Sequence, residues 1–177
     1  MSIFYNRKQG LVSVVISSYN YQHYILDALS GLKKQTYPGI EVILIDDCSV
    51  DNTEGVVKGW IAENADSFTN FLYLKLPRNC YSSWALNIGF FIARGEFIVI
   101  HDADDISFPG KIEKQVEWLR IHPETTAVGT NFLALENGIE YKPFWLSFDR
   151  QEIEENYRKN KKHWNYGPYR CRKNHNN

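Results

Sequence analysis

Apolar residues along the chain alternate between two rhythms. Leu11-Val-Ser-Val-Val-Ile-Ser17 is short, β-branched and almost unbroken, the pattern of a buried strand. Ile25, Leu29 and Leu32 then recur at helical spacing over residues 24–35, and Tyr37-Pro38-Gly39 ends that stretch. A second buried run, Ile40-Glu-Val-Ile-Leu-Ile45, finishes in Asp46-Asp47. Ser49, Asp51 or Asn52 can cap the helix that follows, which carries Val56, Val57, Trp60 and Ile61. The same reading predicts a strand at 71–76, a helix at 83–93 and a fourth strand at 96–100, directly before His101-Asp102-Ala103-Asp104-Asp105. Ser107 and Pro109 open a helix with Ile112, Val116 and Leu119 on its apolar side, closed at His122-Pro123.

Strand and helix alternating over short connections imply an α/β fold, a mostly parallel sheet with helices on both faces. After Ala127 the rhythm changes. Residues 128–135, then Glu136-Asn137-Gly138, then 139–144 predict an Asn-Gly hairpin at a sheet edge. Asp149 can cap a polar helix over 151–162, and residues 166–177 show no periodicity and are expected to be loosely ordered. The chain therefore divides, on sequence, into a domain over 1–149 and a tail over 150–177.

With 177 residues, 44% hydrophobic and 23% charged, the chain suits one globular domain and excludes a disordered or collagen-like polymer. The net charge of −1 hides an imbalance. Residues 1–149 hold 12 Lys and Arg against 18 Asp and Glu, whereas residues 150–177 hold 8 against 3. Such a basic tail is either a solvated end or a contact for an anionic surface, at a membrane for example. Recognition of nucleic acid would rest on this tail alone and is not expected. Cys48, Cys80 and Cys171 are odd in number, widely spaced and without a zinc pattern, which reads as free thiols in a reducing compartment. Neither a signal-peptide core nor an apolar run of about 20 residues is present, so a cytoplasmic location is expected, in peripheral contact with a membrane if the tail binds one.

The chemistry gathers at two acidic clusters, each directly after a strand. Ligands in open α/β sheets bind outside the carboxyl ends of the strands, so Asp46-Asp47 and Asp102, Asp104 and Asp105 can face one crevice. Packed like charges need a cation or donors, and carboxylates are hard ligands for Mg²⁺ or Mn²⁺, ions that commonly also hold phosphates. Loop and cap roles are the plainer alternative for such aspartates. Arg78, in a Pro-Arg-Asn turn, either clasps a phosphate or is simply exposed. His101 reads as packed or hydrogen-bonded rather than ligating, and Trp84, Trp118, Trp145 and Trp164 as core or hinge residues. The Asp-x-Asp follows the fourth strand rather than the first, against a phosphohydrolase of the haloacid dehalogenase type. No Gly-x-Gly-x-x-Gly follows the first strand, against a dinucleotide-binding oxidoreductase.

Taken together, several segments resemble family 2 glycosyltransferases. They are Val12-Ser-Val-Val-Ile-Ser17-Ser18-Tyr19-Asn20, Gln35-Thr-Tyr-Pro38 and Glu41-Val-Ile-Leu-Ile-Asp46-Asp47-Cys-Ser49-Val-Asp51. Asn79…Ala85-Leu-Asn87-Ile-Gly89 and Ala93-Arg-Gly95 follow, then Asp102-Ala-Asp104-Asp105…Pro109…Gln115…Leu119…His122-Pro123. The resemblance runs from Leu11 to Gly129 and implies a GT-A (Rossmann-like) fold that binds a nucleotide-sugar, a UDP-sugar first among them, with Mn²⁺ or Mg²⁺. It assigns nucleotide contacts to Ser17, Tyr19 and Asp47, with Asp47 at the base. It assigns the DxD element, at the ribose, diphosphate and metal, to Asp102 and Asp104, with Asp105 adjacent. Sugar transfer to a saccharide or lipid-linked acceptor would follow. Two departures stand out: Ser17 replaces a frequent Pro, and Tyr81 stands where the family often has Gly. Past Phe144, Asp149, Glu152, Glu154 and Glu155 match no catalytic-base motif, so the catalytic base is unassigned. The expected function is therefore sugar transfer, with a truncated donor-binding remnant that no longer transfers as the alternative.

Overall fold

A computed structural model of the chain describes residues 7–136 and 139–141. Two compact units divide at Gly129, Met1–Gly129 and Thr130–Asn177. In the first, β1 (Lys8–Ser18), β2 (Ile40–Asp46), β3 (Asn70–Lys75) and β4 (Gly95–Asp102) form a parallel sheet in the order β3-β2-β1-β4. Between them run α1 (Ile25–Lys33), α2 (Thr53–Asn64) and α3 (Ser82–Ile92), and α4 (Lys111–Ile121) follows β4. This is the expected α/β architecture.

Strand periodicity sorts the side chains onto two faces. Val12, Val14 and Ile16 of β1 and Val42 and Leu44 of β2 point to one face. There they pack with Ile25, Leu29 and Leu32 of α1, Val57 of α2, and Ile112 and Val116 of α4. On the other face Val15, Ile43 and Ile45 meet α3 through Ala85, and Gly89 lets the helix approach, since a methyl there would overlap the Val15 side chain. α3 covers the centre only. Leu72 and Leu74 on one flank and Ile98 and Ile100 on the other stay more than a third exposed.

α1 forms where its buried positions recur at i, i+3, i+4 and i+7, with Asp27 in the first turn and Lys33 in the last to suit the helix dipole. β1 begins at Lys8, earlier than the apolar run, because Lys8 pairs with Gly95 of β4. Pro109 stands before the fourth helix rather than inside it; Lys111 donates to the Phe108 carbonyl at 3.0 Å and Gly110 takes the capping position.

Near the amino ends of β2 and β4 a buried ionic cluster joins the strands. The Glu41 carboxylate, 1% exposed, accepts the Ser13 hydroxyl at 2.6 Å and the Arg94 amide at 2.7 Å. It also accepts Arg94 Nε at 3.1 Å and Nη2 at 2.9 Å, while the Gly95 amide donates to Ser13 Oγ at 2.7 Å. Burial raises the Glu41 pKa, but the Ser13 and Arg94 hydrogen bonds outweigh it and hold the carboxyl below its usual range.

The second unit contributes β5 (Ala134–Glu136) and β6 (Ile139–Tyr141), paired antiparallel with Glu136 opposite Ile139 in a two-stranded sheet of their own. The expected strands pair, shorter than the pattern predicts and apart from the four-stranded sheet rather than at its edge, and Asn137 and Gly138 lie outside the described residues. The polar helix over 151–162, the boundary at Asp149 and the basic tail lie outside the described residues. Among the described residues no helix is long and apolar enough to cross a membrane.

Candidate functional site

All four carboxyl ends of the parallel strands lie along one edge of the sheet. β1 leads to β2 and β3 on one side and then to β4 on the other, so the strand order reverses at β1, where such sheets bind ligands. At that point Ser17 stands opposite Asp102, and Ser18 opposite Asp46. Half-buried Ser17 and exposed Asp102 share the face that α3 covers further down the strands.

The loops leaving β1 and β2 are laced together. Asn20 donates its amide to Ser49 Oγ at 2.9 Å, and its Oδ1 accepts the Val50 amide at 2.9 Å. The Tyr21 amide reaches Thr53 Oγ1 at 3.0 Å, the Gln22 amide reaches Asp51 Oδ2 at 3.2 Å, and Gln22 Oε1 accepts the Asn52 amide at 2.8 Å. Asp51 also caps locally, accepting the Thr53 amide at 3.0 Å. Burial opposes its charge, but the Thr53 hydroxyl and the Thr53 and Gln22 amides prevail and lower its pKa. Asp46, fully buried, accepts the Ser49 amide at 2.7 Å and the Tyr73 hydroxyl at 2.5 Å. Burial first, and then the Asp46 hydrogen bond, raise the Tyr73 phenol far above its usual value.

Asp47 extends this lattice to the loop after β3. Its amide donates to the Ser18 carbonyl at 2.8 Å, and its Oδ1 accepts the Cys80 amide at 2.6 Å. The residue is 2% exposed, and Oδ2 accepts no hydrogen bond from a described residue. Asp47 thus sits buried between the loops after β1 and β3, with one oxygen engaged and one without a described donor. Non-glycine residues with left-handed backbone occur at Asn20 (φ 62°), Cys48 (φ 66°) and Tyr81 (φ 69°), one in each of these three loops. Such strain gathers at binding sites because the surroundings must hold it in place.

After β4 the chain turns tightly, with the Asp105 amide 3.3 Å from the Asp102 carbonyl. Ala103, 2% exposed, points into the core, while Asp102, Asp104 and Asp105 are exposed. Their carboxylates take no hydrogen bond and no ion pair from the described residues. Exposed carboxylate oxygens on one turn, without protein partners among the described residues, are the hard ligands a divalent cation takes. Among the described residues, however, no three His, Cys, Asp or Glu side chains converge on one point. The Tyr21 phenol stands close enough that, after burial, the Asp104 and Asp102 carboxylates raise its pKa. Tyr21 is thus a neighbour of the acidic turn that sequence reasoning missed, and only its place two residues past Tyr19 hinted at it.

Tyr19, 42% exposed, stands on the rim after β1. Arg78 is exposed in the loop after β3, and its guanidinium meets no described partner. Arg78 follows β3, the strand at the far edge of the sheet from β4. His101, 2% exposed, is packed as expected, with Nδ1 2.7 Å from the Asp102 carbonyl. Its Nε2 finds no partner among the described residues, and burial lowers its pKa. The core expectation for two of the tryptophans needs correction, since Trp84 is 66% and Trp118 49% exposed, while Trp145 and Trp164 lie outside the described residues. Trp84 stands in the first turn of α3 on the uncovered side, and Trp118 rests on His122 with centroids 4.1 Å apart. Among the described tryptophans Trp60 is the packed one, against Phe68 and Phe71. Cys48 and Cys80 are free thiols.

The family model described as glycosyl transferase family 2 matches residues 13–175. The chain belongs to this family. A family member from Escherichia coli, the UDP-Glc:alpha-D-GlcNAc-diphosphoundecaprenol beta-1,3-glucosyltransferase WfgD, is 37% identical over 62% of the chain and 41% of its own length. Among solved structures, S. aureus TarS 1-349 in complex with UDP is 28% identical with a TM-score of 0.58, covering 64% of this chain and 33% of that one. The Pyrobaculum calidifontis mannosyltransferase PcManGT, in complex with GDP-Man and Mn²⁺, is 30% identical with a TM-score of 0.56, covering 61% and 32%. These likenesses agree with the GT-A fold expected from the motifs. The chain spans 44%, 32% and 42% of the length of the first three curated relatives it matches.

Proposed function

We propose that this chain binds a nucleoside-diphosphate sugar, a UDP-sugar first among the candidates, together with Mn²⁺ or Mg²⁺, and transfers the sugar to an acceptor hydroxyl. The observation that carries the reading is the row of strand ends from Asp47 to Asp102. Asp47 leaves Oδ2 for a base N–H donor, exposed Tyr19 directly follows Ser18, whose carbonyl holds the Asp47 amide, and Ser17 stands opposite Asp102 on the strand between β2 and β4. β2 and β4 are two strand spacings apart, about 10 Å. An extended nucleoside diphosphate covers that span, with its base at Asp47 and its phosphates at the acidic turn.

Asp102 and Asp104 would hold the cation, with Asp105 adjacent, and the remaining ligands would come from the donor's phosphates and water. The ion's chemistry is to neutralise the departing diphosphate. Arg78, exposed in the loop after β3, would offer its guanidinium to a donor phosphate that reaches it. The solved relatives support a nucleotide donor through their complexes with UDP, UDP-GlcNAc and GDP-Man. A saccharide or lipid-linked acceptor is supported by the acceptor in the name of WfgD. The excess of positive charge over residues 150–177 suits an anionic membrane at the cytoplasmic side, beside such an acceptor.

A second reading is donor binding without transfer. Incubating the chain with UDP-Glc or UDP-GlcNAc, Mn²⁺ and oligosaccharide or lipid-diphosphate acceptors, and following UDP release, separates the two. Acceptor-dependent release supports transfer. Donor binding with no release supports the second reading, and failure to bind UDP, GDP or TDP overturns both.

A further inference from the structure

Tyr81 adopts φ 69° and ψ 158°, a backbone region that essentially only glycine enters without strain. The residue is 79% exposed, and its hydroxyl bonds no described residue. The ring therefore adds nothing to the packing of the domain, while its Cβ imposes a backbone cost that glycine would remove. The surroundings hold this conformation from both sides. Asn79 Oδ1 accepts the Tyr81 amide at 3.3 Å, and the Tyr81 carbonyl accepts the Trp84 and Ala85 amides at 3.1 and 3.2 Å as α3 begins. One residue earlier, the Cys80 amide is fastened to Asp47 Oδ1 at 2.6 Å.

That last bond places the Tyr81 backbone one residue from Asp47. The Asp47 amide is held by the Ser18 carbonyl and its carboxylate by the Cys80 amide. Tyr19 and Tyr81 are the residues directly after those two partners. Two exposed aromatic rings thus leave the backbone one residue from the contacts of one carboxylate, whose free oxygen is the base-binding group under the reading above. We propose that Tyr81 is a nucleobase-contacting residue, a second aromatic wall of the donor crevice along with Tyr19. The inference rests on the donor reading. Stacking is tolerant of base identity because every base presents a π face, so Tyr81 contributes affinity while the hydrogen bond to Asp47 discriminates among bases.

The test measures binding of UDP, UMP and inorganic pyrophosphate with Mn²⁺ to the full chain and to Tyr81→Phe, Tyr81→Ala and Tyr81→Gly, with thermal melts of each. Loss of the ring in Tyr81→Ala and Tyr81→Gly weakens UDP and UMP by about 5- to 100-fold. Tyr81→Phe stays within about twofold, because the π face is retained. Pyrophosphate binding is the same in all four proteins. Tyr81→Gly melts higher than wild type, since it relieves the backbone, and still binds nucleotide more weakly. A role confined to structure gives the opposite result: Tyr81→Gly binds UDP as tightly as wild type, which overturns the inference while wild-type binding leaves the donor reading standing. No UDP binding by wild type overturns both.

Discussion

Replacing Asp47 tests whether one carboxylate both orders the crevice and reads the ligand. Its Oδ1 accepts the Cys80 amide at 2.6 Å in a site where the residue is 2% exposed, so solvent does little to screen or replace the bond. A hydrogen bond to a charged group contributes about 1.5–3 kcal/mol. Asp47→Ala removes this one and should lower the unfolding free energy by about that amount, read by urea denaturation of the full chain. At 1.4 kcal/mol per tenfold, the loop after β3 then holds its native path about 10- to 100-fold less firmly. Nucleotide affinity falls by at least about tenfold in the absence of metal, through the lost loop order and the lost Oδ2 acceptor. Asp47→Asn keeps an oxygen for the Cys80 amide. It should cost less than about 1 kcal/mol of stability and still weaken UDP, since the charge is gone. Titration calorimetry with UDP in EDTA is the assay for both variants. Asp47→Ala binding UDP within about threefold of wild type would refute the reasoning, whatever its stability.

Glu41→Gln should destabilise the chain by about 2–3 kcal/mol at neutral pH, through a buried pair whose Arg94 side chain is more than half exposed. Because the folded Glu41 pKa lies below its ordinary value of 4.5, its contribution is complete above that pH and is lost as pH falls through the folded pKa. Denaturation from pH 7 to 3 should therefore show the gap between wild type and Glu41→Gln closing only below about pH 4.5. Asn20 has a left-handed backbone and accepts the Val50 amide through its side chain. Asn20→Ala should cost about 1–2 kcal/mol and Asn20→Gly less, the difference measuring the backbone term in urea melts. Equal losses for the two would mean that the hydrogen bond alone matters.

The sheet was legible because its central strands are apolar on both faces, so β-branched runs at 11–17 and 40–45 announce them without any knowledge of the partners. The start of β1 was not, since Lys8 and Gln9 carry no apolar signal and are strand only through pairing with β4. The acidic residues after β2 and β4 were legible for the same reason as the strands: an aspartate at the end of a buried run is conspicuous. What Asp47 does with each oxygen was hidden, because its partner Cys80 is 33 residues away and donates a backbone amide that every residue but proline possesses. The lattice of Asn20, Ser49, Asp51 and Thr53 was hidden likewise, though a cluster of Asx, Ser and Thr after two strands is the signal that could have found it. Glu41 announced itself only as a lone charge inside an apolar run. Trp84 misled because aromatic residues usually supply core area, whereas α3 uses Ala85 and Gly89 to reach the sheet and turns its tryptophan outward.

The donor site is tested most directly by titrating UDP into the wild-type chain and into Asp104→Asn, each with and without Mn²⁺. Asp104 is exposed in the turn after β4 and bonds no described residue, so its replacement leaves the fold intact. The account predicts that wild type binds UDP more tightly with Mn²⁺ than without, and that Asp104→Asn binds UDP equally weakly in both. Absence of heat for UDP, or a Mn²⁺ enhancement in Asp104→Asn as large as in wild type, would contradict it.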